Sequence, residues 1–339
     1  MTTRLPEKYT TRPARLEDLE ETVAMFNAHS RWQLGVEQFR VEDIRAEWTM
    51  PKNDLSETTR LVLSPDGRIV GYYEFWSVAP HTTAYIWGRV APEHAGKGIG
   101  SFLLDWAVSE AERSVSKAPP ETRVAIHAHI LSINEPAAVL LSNAGFSPIR
   151  YSLRMVIDLD EPPEMPLWPE EITIRSYRLG RDERVTFDAI HDSFRDHWGY
   201  EEHPKEEQFQ EFLHFQANDE NLDPDLWFLA EDGEEIAGIS LCRDHLHEDP
   251  GLGWVSTLGV RRPWRREGLG KALLLHSFCE LYHRGRRRVG LGVDAQSLTG
   301  ATRLYEKAGM HPVPDRQFTL FEKELRPGVI LSTQSISEE

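Results

Sequence analysis

Residues 254–275 read WVSTLGVRRPWRREGLGKALLL, and this stretch decides the fold. Its first seven residues are mostly apolar or β-branched and predict a strand. A glycine-bearing turn follows from Arg265 to Lys271, and the apolar residues Ala272, Leu275 and Phe278 then recur at helical spacing. Such a strand, turn and helix create an anion site, because the unpaired amides of the first helical turn and the helix dipole both favour negative charge.

The same pattern occurs earlier in the chain. The segment from Val90, VAPEHAGKGIGSFLLDWAVSEAE, is echoed from Val260 as VRRPWRREGLGKALLLHSFCELY. Downstream, LLSNAGF at residues 140–146 is echoed by LYEKAGM at residues 304–310, and the openings TTRPARLEDLEE and TIRSYRLGRDER also match. Three echoes in one order predict two copies of a domain, because the repeated unit is too long for a solenoid.

Each copy predicts alternating strands and helices. Asp232-Gly233 lies between two apolar runs and marks a β-hairpin, and Asp66-Gly67 occupies the same place in the first copy. Further on, RRVGLGVDA predicts a strand, and GATRLYEKAG predicts a helix closed by Gly309. The sequence therefore predicts an α/β fold, an α+β arrangement with a mixed sheet, in two tandem domains.

The domain boundaries are expected around a proline-rich segment. LDEPPEMPLWPEE at residues 159–171 has four prolines and several acids, and no helical or alternating pattern, so it predicts a linker. The first domain is then expected at residues 1–158 and the second at residues 172–326. The Ser-rich end, residues 327–339, predicts a flexible tail.

Composition excludes some classes of function. The chain has 339 residues and a formal net charge of −17, which disfavours binding to nucleic acid and to anionic membrane surfaces. Cys242 and Cys279 are too few for a disulfide framework, and no apolar run is long enough for a signal peptide or a membrane span. A soluble protein of the cytoplasm is expected.

Other known binding motifs are excluded because residues that they require are missing. A P-loop requires Ser or Thr after Gly270-Lys271, but Ala272 stands there, and Gly96-Lys97-Gly98 begins a dinucleotide fingerprint that its neighbours do not complete. HLHED at residues 245–249 has no second ligand cluster, so no metal is expected. Cys279 lies within the helical pattern and is expected to pack in the core.

The strand, glycine loop and late helix that recur in both copies resemble the motifs of a known family. TLGVRRPWRREGLGKALL and LYEKAGM look like the cofactor-binding and late-helix motifs of the GCN5-related N-acetyltransferases (GNAT), and RVAPEHAGKGIGSFLL with LLSNAGF looks like a second, less complete set. Two such domains in one chain resemble the mycothiol synthase subgroup, as does DHWG at residues 196–199. The resemblance implies acetyl-CoA as cosubstrate, with loop amides on its pyrophosphate and strand main chain on its pantetheine arm.

The resemblance also implies a set of cofactor-binding residues. In the second copy they are Leu258, Gly259, Val260, Arg265, Arg266, Glu267, Gly268, Leu269, Gly270 and Lys271. In the first copy they are Gly88, Arg89, Val90, Gly96, Lys97, Gly98, Ile99, Gly100 and Ser101. The first copy departs from the family at Ala95, where Arg or Gln is usual, which predicts weaker binding there.

The late helix predicts which copy is active. The family places a tyrosine donor to the leaving thiolate at the position of Tyr305, whereas the first copy has Leu141 there. A tyrosine near pKa 10 is less acidic than a thiol near 8.5, so it stabilises a thiolate by hydrogen bonding more readily than by full proton transfer. The second copy is expected to be catalytic and the first degenerate or regulatory.

The general base is left open by the sequence. Some relatives carry Glu on the strand before the loop, but Trp254 occupies about that place here. A base acting through water could come from His245, His247, Glu248 or Asp249, just upstream of Trp254. It could equally come from the earlier stretch HDSFRDHWGYEE, which carries His191, His197 and Glu201.

The sequence thus predicts an acetyl-CoA-dependent N-acetyltransferase that transfers acetyl directly to a primary amine of a small molecule. The negative charge of the chain suits a cationic acceptor. Two other functions are weighed: a non-catalytic acyl-CoA-binding sensor or regulatory protein, and an interaction scaffold that has lost coenzyme A.

Overall fold

The computed structural model describes residues 4–335. The chain forms two compact units. The first comprises residues 1–150, 202–219 and 318–331, and the second comprises residues 151–201, 220–317 and 332–339. The expected tail at 327–339 extends beyond the described residues at 336–339.

The elements up to residue 158 alternate as the sequence predicts. In chain order they are β1 (Thr10–Arg12), α1 (Leu19–Leu34), α2 (Val41–Trp48), α3 (Leu55–Thr58), β2 (Thr59–Leu63), β3 (Ile69–Ser77), β4 (Thr83–Val90), α4 (Ile99–Ser114), β5 (Val124–Leu131), α5 (Glu135–Asn143) and β6 (Ser147–Asp158).

The later elements follow nearly the same order, with two helices instead of three between the first two strands and with an additional short strand before the last one. They are β7 (Ile172–Ser176), α6 (Glu183–Phe194), α7 (Lys205–Asn218), β8 (Trp227–Asp232), β9 (Glu235–Arg243), β10 (Leu252–Val260), α8 (Leu269–His283), β11 (Arg288–Asp294), α9 (Ala301–Lys307), β12 (His311–Pro312) and β13 (Phe318–Arg326). The hairpins predicted around Asp66-Gly67 and Asp232-Gly233 are confirmed by the antiparallel pairs β2–β3 and β8–β9.

The first unit has the strand order β1-β2-β3-β4-β5-β13. Strands β4 and β5 pair in parallel, and β13, from the far end of the chain, pairs antiparallel with β5. Glu322 of β13 is held in an ion pair with Arg123 at 2.6 Å and meets His127 at 3.0 Å. The sequence assigns residues 318–326 to the second domain, whereas the chain contacts assign them to the first unit.

The second unit has the strand order β6-β11-β10-β9-β8-β7. Its parallel pair is β10–β11, and β6 pairs antiparallel with β11 from Ser152 to Asp158. Residues 159–171 contain no helix or strand. Trp168 in this segment nevertheless packs against His276 of α8, with ring centroids 5.6 Å apart.

The helices of the second unit cover opposite faces of its sheet. A Cβ on Gly259 of β10 would come within 2.8 Å of the Ser193 Cβ on α6. A Cβ on Gly238 of β9 would come within 2.9 Å of Leu273 on α8. Gly238 pairs with Val260, the neighbour of Gly259, and successive strand residues point to opposite faces. One face therefore carries α6 and the other carries α8.

No helix between residues 4 and 335 has both the length and the apolar character needed to cross a bilayer.

Candidate active site

The site lies where β10 and β11 separate. Their parallel pairing runs from Leu252↔Arg288 to Val255↔Leu291 and ends there. Beyond that point β10 continues beside β9, and β11 continues beside β6. A bulge between Val255 and Thr257 shifts the register of β10 at the place of separation. The facing strand edges thus hold main-chain groups that can bond to an extended ligand.

A cavity of about 640 Å³ occupies this gap. Its walls come from β10, β11, the glycine loop, α9 and the end of α6, and they include Leu258, Gly268, Asp294, Tyr305 and His197. The structure therefore brings the predicted loop and the predicted tyrosine donor into one cavity.

The loop geometry explains its glycines. Gly268 precedes α8 with φ +90°, a left-handed conformation that other residues rarely adopt, and it gives the helix no side-chain cap. Gly270 lies in the first turn, where a Cβ would come within 3.5 Å of Leu304 on α9. The first backbone amides of α8 have no acceptors within the helix. Because glycines leave the space in front of these amides free of side chains, an anion can approach and accept their hydrogen bonds.

Most of the predicted loop residues line the cavity. Those that do are Leu258, Gly259, Val260, Arg265, Arg266, Gly268, Gly270 and Lys271. Leu269 is instead buried in the core beside Leu273, and Glu267 is exposed. Any contact of Leu269 with a ligand would come from its main chain.

The arginines of the loop have different partners. Arg265 donates through Nε to the Val260 carbonyl at 2.9 Å and through Nη2 to the Ser193 carbonyl at 3.0 Å. Arg265 and Arg262 both bond to the carboxylate of Asp196, which is 3% exposed. Arg266 is exposed and has no hydrogen bond or ion pair to the residues that the structure describes. Arg265 thus fixes the loop, while Arg266 is available to an anionic ligand.

Asp196 was not identified as a site residue from the sequence. The hydrogen bond from Arg262, assisted by Arg265, lowers the pKa of Asp196 to about 2. The carboxylate therefore stays ionised at neutral pH and holds the turn after α6 against the loop. The DHWG stretch was the only signal for it.

Tyr305 of α9 lines the cavity. It is 7% exposed and packs within the core cluster of the second unit. Burial raises the pKa of Tyr305 to about 12. The phenol therefore stays protonated at neutral pH and is able to donate a hydrogen bond.

The first unit has a corresponding gap with different contents. The parallel pairing of β4 and β5 ends at Ile86↔Ala128, but the register between β3 and β4 runs without a bulge. A Cβ on Gly88 would come within 1.9 Å of the Tyr73 ring. Leu141 is buried at 2% exposure in the place of Tyr305.

The end of β4 is also held differently. His29 Nδ1 lies 3.0 Å from the Val90 carbonyl, the counterpart of the Val260 carbonyl that Arg265 contacts. In the first unit, His29 thus makes the contact that an arginine in the place of Ala95 would make.

Only some of the remaining loop residues of the first copy are available to bind a ligand. Gly96 and Gly98 keep left-handed conformations, with φ of +74° and +82°. Ile99 is buried in the core, and burial lowers the pKa of Arg89 to about 10. The guanidinium of Arg89 lies over the Trp87 ring at 5.0 Å.

The candidate bases are widely distributed. Glu248 pairs with Arg154 at 2.5 Å, Asp249 with Arg288 at 3.0 Å, and His245 with Asp244 at 3.2 Å. His191 Nε2 lies 2.8 Å from the Tyr200 hydroxyl, and Glu201 is buried. Of the seven candidates, His197 lines the cavity.

The comparisons with known proteins agree with this fold. The model of the acetyltransferase (GNAT) family matches residues 22–129 and 187–310, one region in each copy. The chain belongs to this family and is a tandem N-acetyltransferase whose acetyl donor is acetyl-CoA.

Individual relatives resemble most of the chain. A mycothiol acetyltransferase from Streptomyces bingchenggensis is 28% identical over 270 residues, which are 78% of this chain and 79% of that protein. A GCN5-related N-acetyltransferase from Sphaerobacter thermophilus is 34% identical, with a TM-score of 0.75 over 98% of this chain and 100% of the other. A tandem GNAT protein from the clavulanic acid biosynthesis pathway shares the fold, at 15% identity and a TM-score of 0.68, over 94% of this chain and 99% of that one. The predicted α/β fold in two tandem domains is confirmed.

Proposed function

We propose that the second unit transfers the acetyl group of acetyl-CoA directly to a primary amine of a small molecule. The observation that carries this proposal is the cavity between β10 and β11, which joins the glycine loop to Tyr305. The first unit offers no such donor, because Leu141 stands in the place of Tyr305.

The residues of the second unit fit a long anionic donor. The first amides of α8, with Arg266 and Lys271 beside them, would hold its diphosphate. The free edge of β10 from Leu258 to Val260 would bond its amide-bearing arm, as an added strand does. The reactive end of the arm would then lie toward the bulge after Val255.

Tyr305 would act on the leaving group. The amine nitrogen bonds to the thioester carbonyl carbon, the carbon–sulfur bond breaks, and the amine loses one proton. Tyr305 would donate a hydrogen bond to the sulfur as its negative charge develops. Its raised pKa favours a hydrogen bond over complete proton transfer.

The acceptor class follows from charge and from the relatives. A chain of net charge −17 attracts a cationic small molecule. The relative from Streptomyces bingchenggensis bears the name of a small-molecule thiol, mycothiol. We also propose a cytoplasmic location, because Cys242 and Cys279 are buried free thiols.

A second candidate function is supported by the first unit. Its gap holds Tyr73 over Gly88 and lacks the tyrosine donor, so this unit would bind an acyl-CoA weakly, or serve as a sensor, without turnover.

Tyr305→Phe tests the proposal. We expect kcat to fall about 100-fold on any amine that the wild type acetylates, since one hydrogen bond to the developing charge is lost. Thiol release from acetyl-CoA, measured against a panel of primary amines, provides the readout. Tyr282→Phe on α8, outside the cavity, is the matched control and should keep the wild-type rate. Full turnover by Tyr305→Phe would contradict the assigned donor.

A further inference from the structure

We propose that His197 is the general base of this transfer and takes the proton that the attacking amine releases. The inference rests on the proposed function of the second unit and fills the one role which that proposal leaves open.

The position of His197 is the first support. It follows α6 directly and lines the same cavity as Tyr305. Its backbone amide donates to the Phe194 carbonyl at 2.9 Å, and its ring packs on the Phe194 ring with centroids 4.4 Å apart. The adjacent Asp196 is bonded to Arg262 and Arg265 of the loop. The turn that carries the imidazole is thus fixed to the edge of the donor site.

The two functional side chains approach the gap from different sides. His197 continues the chain from α6, which packs on the Gly259 face of the sheet. Tyr305 lies on α9 and packs in one core cluster with Leu274 and Phe278 of α8, on the opposite face. An acceptor amine entering from the α6 side would therefore meet the imidazole on one side of a thioester in the gap, while the phenol lies on the other.

The charges around His197 suit a base. Burial lowers its pKa below the ordinary 6.5, and the positive charge of Arg265 lowers it further. Asp294 at the end of β11 and the neighbouring Asp196 act in the opposite direction but are weaker. The imidazole is therefore neutral at pH 7 and can accept a proton.

Several of the other candidate positions are engaged elsewhere. Trp254 occupies the strand position where a carboxylate would reach the donor, and Arg154 lies over its ring at 5.1 Å. Glu248 pairs with that same Arg154. His191, on α6 itself, shares a hydrogen bond with Tyr200. No other residue of the candidate set lines the cavity within the described part of the second unit.

The proton balance is complete with the two substrates. The amine nitrogen gives one proton to an imidazole nitrogen of His197 as the amide bond forms, and the broken carbon–sulfur bond leaves a thiolate beside Tyr305. The imidazolium then returns its proton to solvent. No oxidant, metal or further reactant is needed.

His197→Gln and the control His191→Gln test this assignment. We expect kcat/KM of the wild type to rise with pH through a midpoint below 6.5, as His197 loses its proton. His197→Gln should lower kcat/KM about 100-fold at pH 7 and remove this acidic limb, while its Kd for acetyl-CoA stays within about twofold. His191→Gln should keep the rate, the limb and the Kd.

Two further measurements separate a base from a structural residue. Added imidazole should restore part of the activity of His197→Ala, which a merely structural residue would not allow. The same variants are compared for hydrolysis of acetyl-CoA without any amine, where the base acts on water. The hydrolysis rate of the wild type should show the same acidic limb in its pH profile, and His197→Gln should lose this activity as well.

Two results would overturn the assignment of His197 as the base. Wild-type rates and an unchanged acidic limb in His197→Gln would overturn it, and so would a loss of activity matched by an equal loss of acetyl-CoA affinity. Failure of the wild type to bind acetyl-CoA in a calorimetric titration would instead overturn the proposed function. This titration needs no acceptor amine, so the two failures can be distinguished.

Discussion

Asp196 joins two parts of the second unit that lie far apart in sequence. Its carboxylate bonds to Arg262 Nε at 2.9 Å and to Arg265, while Arg265 also reaches the carbonyls of Val260 and Ser193. A buried carboxylate with two guanidinium partners is costly to break, because the remaining charges lose their compensation. Asp196 is therefore a positioning residue for the loop and for His197.

Asp196→Asn should destabilise the protein by about 1–3 kcal/mol at pH 7, a range reduced because Arg262 is half exposed. The pKa of Asp196 lies near 2 in the folded protein, below its ordinary 3.8. Its contribution to stability is therefore complete above pH 4 and is lost as the pH falls toward 2. Urea unfolding at pH 7 and at pH 2.5 should show a smaller difference between wild type and variant at the lower pH.

Asp192→Asn, four residues earlier in the last turn of α6, is the matched control. Asp192 pairs with Arg261 at 3.1 Å, and its side chain is 35% exposed. An exposed pair contributes little, so this variant should change the free energy of unfolding by less than about 0.5 kcal/mol. Equal effects of the two substitutions would contradict the special role of Asp196.

Among the elements, β13 has the least obvious position. It follows the second copy in sequence but pairs with β5 of the first unit from Phe318↔Leu131 to Arg326↔Val124. Its apolar residues Leu320 and Phe321 are buried there. Arg123, directly before β5, and His127 within β5 bond to Glu322. Burial alone would raise the pKa of this carboxylate, but the hydrogen bonds with His127 and Arg123 outweigh burial and lower the pKa of Glu322 to about 2.

A chain ended at residue 317 should lose the stability of the first unit. Burial of Leu320 and Phe321 contributes about 1.5–3 kcal/mol for each side chain, and the hydrogen bonds of β5 also lose their partners. Hydrogen exchange at the β5 amides should become fast in this variant. A chain ended at residue 331, which keeps β13 and the backbone bonds of Val329 to Glu121 and Arg123, should show native protection. Unchanged protection in the shorter chain would contradict the assignment of β13 to the first unit.

The sequence predicted the elements better than their partners. The hairpins, the glycine loops and the helix ending at Gly309 follow from local patterns, and the structure contains all of them. The partner of β13 did not follow, because an alternating strand satisfies any open antiparallel edge. Within the site, Tyr305 and the loop belong to a local motif. Asp196 and His197 acquire their roles through Arg262 and Arg265, more than sixty residues away.

At the scale of the whole molecule, one duplicated domain has given two unequal units. The second unit has the bulge, the cavity and Tyr305, whereas the first has a continuous register, Leu141, and Tyr73 beside Gly88. His29 replaces an arginine contact at the end of β4, so the first unit keeps its loop without the usual Arg. Both units thus keep the fold, while under the proposed function the groups for transfer are assembled in the second.

Calorimetric titration with acetyl-CoA, comparing the wild type with Gly268→Asp and Gly98→Asp, tests this asymmetry most directly. Both substitutions place a carboxylate at a left-handed position before the first turn of a helix, α8 or α4, where it would repel a phosphate. We expect Gly268→Asp to abolish binding or weaken it at least tenfold, and Gly98→Asp to leave the main binding event unchanged. Binding that survives Gly268→Asp but is lost in Gly98→Asp would contradict the account and place the donor site in the first unit.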